Sequence, residues 1–400
     1  MRLLNIFCSA ALVLAVSSSV FASEAITTSK NTMMAPKPSN SCKPVKPACK
    51  PVKKAKPCEP CEEPEPCCFF EQGLALEDDV KPPCDVKYHP GYNAAAAISV
   101  DNAWDFNVDA SFIYWNVSQE AMDVTYVAPL VGSATTRTPG SVVYQDTGYK
   151  PGFKVGIGWD THFDNWALNA EYTWLHQSKN TSATAPGIEI FTANDWFPDH
   201  ITDPFDAVSS VWKMHMDMVD VVVSRPFYQG THLTLSPTGG LRGLFLRQTM
   251  DVTLSELTAP TSISSANSSH SWAVGPKCGV NSHWLVWRGL RFEGQMDASI
   301  LYTRYTSIVN TETVAGVGSA SSSASDFSAV RPAVDMGLGL GYGAYMFRNS
   351  FYFDLAVRYD FSQFWSQNVM RNFASQLQGR DDAIGDLHMH GLTITLRCDF

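Results

Sequence analysis

From about residue 104 to residue 400, apolar and polar residues alternate at every second position in a series of short blocks. Side chains of a strand point alternately to its two faces, so each block predicts a strand with one apolar and one polar face. Trp104, Phe106, Val108, Ala110, Phe112 and Tyr114 share one face, with Asp105, Asn107, Asp109 and Ser111 on the other. Phe153, Val155, Ile157 and Trp159 repeat the pattern, then Trp166, Leu168, Ala170, Tyr172 and Trp174. Further blocks cover 211–223, 233–247, 272–287, 290–302, 330–342, 351–359 and 391–400. In 211–223, Met214, Met216 and Met218 take the apolar side against Lys213, His215 and Asp217. The last block sets Leu392, Ile394, Leu396, Cys398 and Phe400 against Thr393, Thr395, Arg397 and Asp399. An apolar-alternating end that stops on an aromatic is the pattern that barrel-insertion machinery reads, so these five residues form the expected insertion signal.

The blocks make ten predicted strands, with twelve or more as the alternative. Their connections alternate in length: short near 161–165, 227–231, 288–289 and 347–350, long near 118–150, 177–210, 251–271, 303–327 and 362–386. A membrane barrel with tight turns at one end and long loops at the other has this rhythm. Backbone groups facing lipid must be paired, at several kcal/mol each if they are not, so the sheet must close on itself. The expected fold is all-β: a transmembrane, antiparallel, up-and-down β-barrel over residues 91–400.

Closure places the charged faces inside, because Arg or Lys facing lipid at mid-membrane costs roughly 2–4 kcal/mol. The inward, pore-lining candidates are Lys154, Asp160, Glu171, Arg242, Lys277, Arg291, Glu293, Asp297, Arg331, Asp335, Asp354, Arg358 and Arg397. Both signs are present, which fits either a water-filled pore or an interior plugged by ion pairs. The glycines at 337, 339, 341 and 343 share one strand face and mark a crowded or bending wall.

Composition agrees. Aromatic residues make up 12% and charged residues only 17% of the 400 residues, against about 25% charged in soluble proteins. The mean hydropathy of −0.10 is too polar for a helical membrane protein. A net charge of −10 argues against nucleic acid as a partner. Outer-membrane lipid is the expected surround.

Residues 1–22 read as a signal peptide: Arg2, a largely apolar stretch from Leu3 to Val16, then Val20 and Ala22 before the expected cut. Residues 23–90 are a Cys- and Pro-rich segment whose composition predicts disorder, extended and placed in the periplasm. It holds Cys42, Cys49, Cys58, Cys61, Cys67, Cys68 and Cys84; only Cys278 and Cys398 follow it. An oxidising compartment makes disulfides the expected use. Nine cysteines after signal removal is an odd number, which points to pairing with another envelope protein or a second copy. Cys58 and Cys61 have zinc-like spacing, but no second pair follows, so no metal and no cofactor is expected.

Catalytic chemistry is thinly represented. His388 and His390 with Asp386 could hold a metal, although rim histidines are commonly unliganded. His215 with Asp217 suggests an omptin-type protease only if loops gather more acid and His groups above the rim. Neither makes an enzyme the expected reading.

The stretches Val219-Asp220-Val221-Val222-Val223-Ser224-Arg225-Pro226-Phe227-Tyr228, Leu233-Thr234-Leu235-Ser236-Pro237 with Gly240-Leu241-Arg242-Gly243, and residues 387–400 resemble the Legionella-type major outer membrane protein family. That family comprises pore-forming porins with relatives in environmental chlamydiae. The resemblance implies an outer-membrane porin for passive diffusion of ions and small solutes. The cysteine-rich segment departs from plainer members and is similar to cysteine-linked chlamydial envelopes. A mainly structural envelope protein or a surface adhesin with a closed barrel is the alternative.

Overall fold

The computed structural model describes residues 105–400, with Ala96, Ile98 and Val100 before them and short gaps at 130–139, 162, 186–188, 199–204, 230–231, 257–261, 288, 348 and 381–383. The expected signal peptide and the seven-cysteine segment lie outside the described residues.

Ten strands form the wall: β1 (Phe106–Gln119), β4 (Gly148–Asp160), β5 (Ala167–Thr184), β7 (Ala207–Ser224), β9 (Leu233–Ser255), β10 (Ser262–Trp287), β11 (Leu290–Val314), β13 (Phe327–Met346), β14 (Phe351–Asn368) and β15 (Gly385–Asp399). Each pairs antiparallel with its neighbours, and β1 pairs with β15 to close the ring. The closing register runs from Asn107 opposite Asp399 to Gln119 opposite Leu387. Beyond it, Phe106 and Phe400 exchange backbone hydrogen bonds at 3.3 and 3.0 Å. The final block thus provides the last seam of the barrel, and no open edge is left between first and last strands. None of the described helices is long and apolar enough to cross a membrane.

At one end the connections are tight. In the β4–β5 turn Asp164 and Asn165 both have positive φ, 52° and 59°, as two-residue hairpins of the primed type require. Arg225, at the end of β7, clamps this turn through Asp164, at 2.9 Å to both its carbonyl and its carboxylate. At the opposite end lie β2 (Asp123–Pro129), β3 (Ser141–Tyr144) and β6 (Glu189–Thr192), which form a separate three-stranded sheet, and α1 (Val369–Leu377). Two short strands, β8 (Phe227–Gln229) at the tight-turn end and β12 (Gly318–Ala324) at the other, flank β9 and β11. We call these the turn end and the cap end.

Two of the expected long connections are largely strand. β9 runs to Ser255 and β10 starts at Ser262, while β11 continues to Val314 and β12 folds back on it. Stretches such as residues 264–271 carry small polar residues on both faces, so period-two alternation is lost although the ladder persists.

The outer wall is not uniform along its length. Near the turn end and at mid-height it is apolar: Phe112, Val155, Ile157, Leu168, Val221, Leu241, Ile300, Leu338, Leu355 and Leu396 are exposed on it. Aromatic residues border this band on both sides, with Trp159, Trp166, Trp284, Trp287 and Phe351 toward the turn end. Toward the cap end stand Tyr114, Tyr149, Trp174, Trp272, Tyr302 and Tyr359. That is the profile of a lipid-facing belt with two interfacial girdles. Of the expected insertion signal, Leu392, Ile394, Leu396 and Cys398 lie on the outward face of β15, and Phe400 follows directly after the strand.

Beyond the second girdle the polarity of the wall inverts. On β7 the outward residues change from Val223, Val221 and Val219 to Asp217, His215 and Lys213, while the inward ones change from Asp220 to Met218, Met216, Met214 and Trp212. The same inversion occurs on β1 (Ile113, Trp115 and Val117 inward), β9 (Leu244 and Leu246 inward) and β15 (Leu387 and Met389 inward). The three methionines therefore point into the barrel and do not face lipid, correcting the apolar-side expectation for 211–223. The physical cause is the change of outer solvent. Within the belt hydrocarbon covers the apolar face; above it water does, and the apolar face must turn inward. Leu355→Arg, in the belt, is expected to cost roughly 2–4 kcal/mol in lipid-reconstituted unfolding titrations. Val211→Arg, above the belt on the same outer wall, should stay within about 0.5 kcal/mol.

Candidate functional site: a blind polar chamber under an apolar plug

The interior has two storeys. The cap-side storey is an apolar core in which Ile113, Trp115, Leu175, Trp212, Met214, Met216, Leu246, Met250 and Phe364 are almost fully buried. The connection between β6 and β7 drops into it, placing Trp196 and Phe197 at zero exposure. Neither belongs to a wall strand; both are held there by polar latches. The Trp196 carbonyl accepts hydrogen bonds from the Ser265 hydroxyl at 2.5 Å and the Asn310 amide at 3.3 Å, both on the wall. Its indole N–H donates to the Asp123 carbonyl at 2.8 Å. Arg371 of α1 reaches over the indole ring, 5.1 Å from its centroid, and pairs with Asp123 at 2.7 Å and Asp195 at 3.1 Å. Asn368 caps α1 and ties it to the Glu120 and Ala121 carbonyls at 2.8 and 3.1 Å.

Beneath the plug lies a layer of ion pairs. Arg242 is 2% exposed. It grips Asp220 through two hydrogen bonds, 2.8 and 2.7 Å, and reaches Asp335 at 2.5 Å. Lys277 bridges Asp220 at 2.8 Å and Asp297 at 3.4 Å. Since Arg242 stands on β9 and Asp335 on β13, that contact passes over β10 and β11 and crosses part of the lumen.

Between this layer and the turn end is a cavity of about 330 Å³. Nine of the thirteen expected inward residues line it: Lys154, Asp160, Glu171, Lys277, Arg291, Glu293, Asp354, Arg358 and Arg397. Arg242, Asp297 and Asp335 belong to the layer above it, and Arg331 lies nearer the cap, its guanidinium 6.0 Å from the Tyr305 ring centroid. Asp109, Asp220 and His283 also line the cavity, and Asp360 and Asp399 share the inward faces of β14 and β15. Carboxylates thus outnumber cations among the described inward charges. Many are paired: Lys154 with Glu171 at 3.2 Å, Arg291 with Glu293 at 2.5 Å and with Asp354, and Arg397 with Asp399 at 2.5 Å. The glycine face of β13 makes room for them, since a Cβ at Gly341 or Gly343 would collide with Glu293 or Tyr352. Ala96 and Ile98, just ahead of β1, line the turn-end side, and the Ala96 amide donates to the Pro226 carbonyl at 3.3 Å.

Asp220 was the most informative residue outside the expected set. In 211–223 the apolar parity shifts between Met218 and Val219, and that shift is the sequence signal that places Asp220 inside.

The remaining candidates sit on the outer wall. Glu120, Asp386 and His388 bring one ligand atom each within 4.8 Å of one another. Asp386 already accepts hydrogen bonds from the Ser366 amide at 2.8 Å and Gln363 at 3.1 Å. His390 is turned away to the Tyr359 hydroxyl at 2.6 Å. Asp217 accepts from Tyr172 at 2.6 Å and lies 3.6 Å from His176; His215 stacks on His176 at 4.2 Å. These groups line no cleft among the described residues. Cys278 and Cys398 are unpaired and outward.

A ring of ten antiparallel strands, an apolar girdled belt and charges confined to the inside at belt height define a transmembrane β-barrel of the outer membrane. Residues 99–400 match the family model of the Legionella pneumophila major outer membrane protein precursor, and the chain belongs to that family. No curated protein matches the chain. Among solved structures, the outer membrane protease OmpT from Escherichia coli aligns at 9% identity and a TM-score of 0.35, covering 76% of this chain and 99% of its own. The toluene transporter TodX of P. putida aligns at 8% identity and 0.28, covering 74% and 90%. A FadL homologue from Pseudomonas aeruginosa aligns at 7% and 0.24, covering 74% and 89%. Likenesses this distant assign no activity to the chain.

Proposed function

We propose that the protein is a porin that is shut in this conformation, and that it passes ions and small polar solutes when the Trp196–Phe197 plug leaves the lumen. It is not an enzyme in this reading. The observation that carries it is the charged chamber of about 330 Å³ at belt height, roofed on the cap side by the ion-pair layer and, above that, by a connecting segment that is not part of the wall. Selection would come from the inward carboxylates, whose excess favours cations. The turn end and the N-terminal segment would face the periplasm, with the cap outside. Partners would be outer-membrane lipid and the barrel-insertion machinery.

A second reading rests on the packing of the cap-side storey. Ten strands enclose little space, and apolar side chains fill the outer part of it. A permanently closed barrel would act as an envelope scaffold, with the cysteine-rich segment cross-linking it to neighbours or to itself. Single-channel recording of the folded barrel in planar bilayers separates the two. The porin should show brief cation-preferring steps from a mostly silent baseline. A barrel that stays silent with its plug residues removed as well would overturn the porin and leave the scaffold.

A further inference from the structure

A row of basic residues crosses four adjacent strands on the outer wall. His176 on β5 is paired in register with His215 on β7, His215 with Arg247 on β9, and Arg247 with His270 on β10. All four side chains are on the outward face, and Lys213 stands two residues from His215 toward the cap. The next outward residues toward the turn end are Trp174, Asp217, Phe245 and Trp272. The row therefore runs along the upper margin of the lipid belt, immediately beyond the aromatic girdle.

The neighbouring acids meet the row only at its edges. Asp217 is engaged by Tyr172 and His176. Asp251 is the other carboxylate on this part of the wall, two outward positions beyond Arg247 and one beyond the level of Lys213. Arg304 is paired with Asp326 at 3.0 Å, so it stands apart from the row. Among the described residues neither Arg247 nor Lys213 has an ion pair. The row's permanent cations, Arg247 and Lys213, are thus left without a carboxylate in contact among the described residues, while His176 has Asp217.

Position narrows the missing anion. A group meeting this row would have its apolar part against Phe245, Trp272 and the valines of β7, and its charge at headgroup height. We propose that the His176–His215–Arg247–His270 row, with Lys213, binds the phosphate of a membrane lipid whose acyl chains lie along the adjacent belt. The proposal concerns the outer wall and stands whether or not the barrel conducts.

The test is lipid retention by the full-length folded barrel in nanodiscs, read by native mass spectrometry. Phosphatidylglycerol mixed into phosphatidylcholine is the probe. Wild type should retain phosphatidylglycerol preferentially, and Arg247→Gln with Lys213→Gln should weaken that preference about ten-fold. Arg304→Gln, which removes a cation already paired elsewhere, should leave it unchanged. Equal retention by wild type and the double variant would overturn the proposal. So would full displacement of the lipid by millimolar inorganic phosphate, which would show a simple anion site. Should the double variant fold poorly, each single variant with its barrel confirmed by heat-modifiable migration gives the same comparison.

Discussion

Asp220→Ala is expected to be the most damaging single substitution in the barrel. It removes the carboxylate that holds both Arg242 and Lys277, which are 2% and 8% exposed. Two cations would remain in the lumen with only Asp335 and Asp297 to answer them. Removing one partner from a buried pair costs about 3–5 kcal/mol, chiefly because the remaining charge is left unsatisfied. The loss should appear in urea unfolding of the reconstituted barrel as a lower midpoint with an unchanged slope, since the surface exposed on unfolding is the same. The isosteric Asp220→Asn keeps the volume but loses the charge and should fall between. Replacing the set with apolar residues of similar volume should be far milder than Asp220→Ala, because no orphan charge is left. If Asp220→Ala unfolds within 1 kcal/mol of wild type, the cross-lumen ion pairs are already solvated and the layer is no barrier. That result would extend the chamber upward to the plug.

How much of this was legible in the sequence depended on which solvent each face meets. In the belt, lipid outside and charge inside give a clean period of two, and the ten strands, the closing seam and the thirteen inward residues follow from it. Past Tyr114, Trp174 and Phe245 the alternation continues with its sense reversed, because water now lies outside. Taken as one apolar face, Met214, Met216 and Met218 point to lipid and Asp220 is lost with them. The reversal can be found in the sequence only by noticing that Val219, Val221 and Val223 have the opposite parity. The plug left no such trace. Trp196 and Phe197 lie in a connection with no periodicity, and what fixes them is contact with Ser265, Asn310 and Arg371, which are 69, 114 and 175 residues away in sequence. Long-range latching of this kind has no local pattern. The two arginines of the family-like stretches did gain positions: Arg225 pins a turn and Arg242 anchors the ion-pair layer.

Trp196→Ala combined with Phe197→Ala is the substitution expected to change function most. Each side chain is fully buried in the cap-side storey, and truncating a buried aromatic typically costs about 3–5 kcal/mol. That cost falls on the closed conformation alone, because the wall strands and the β1–β15 seam do not depend on the plug for their ladders. A shift of about 5.5 kcal/mol carries a two-state equilibrium from one per cent open to ninety-nine, so the double variant is expected to be open most of the time. The lumen it opens stays narrow. Met214, Met216 and Met250 still point inward, and a narrow apolar stretch can exclude water by dewetting. Methionine is unbranched and adaptable, which favours a small, noisy conductance over a sealed one. Planar-bilayer recording should therefore show long openings of low conductance in the double variant, brief ones in wild type, and an intermediate lifetime in Ser265→Ala, which removes one latch from the Trp196 carbonyl. Heat-modifiable migration must remain intact in all three, since it reports the closed seam and not the plug. A double variant that migrates as a folded barrel and passes no current would mean that the inward wall residues seal the lumen unaided. The barrel would then act as a scaffold in the outer membrane, and its polar chamber as a pocket open only toward the turn end.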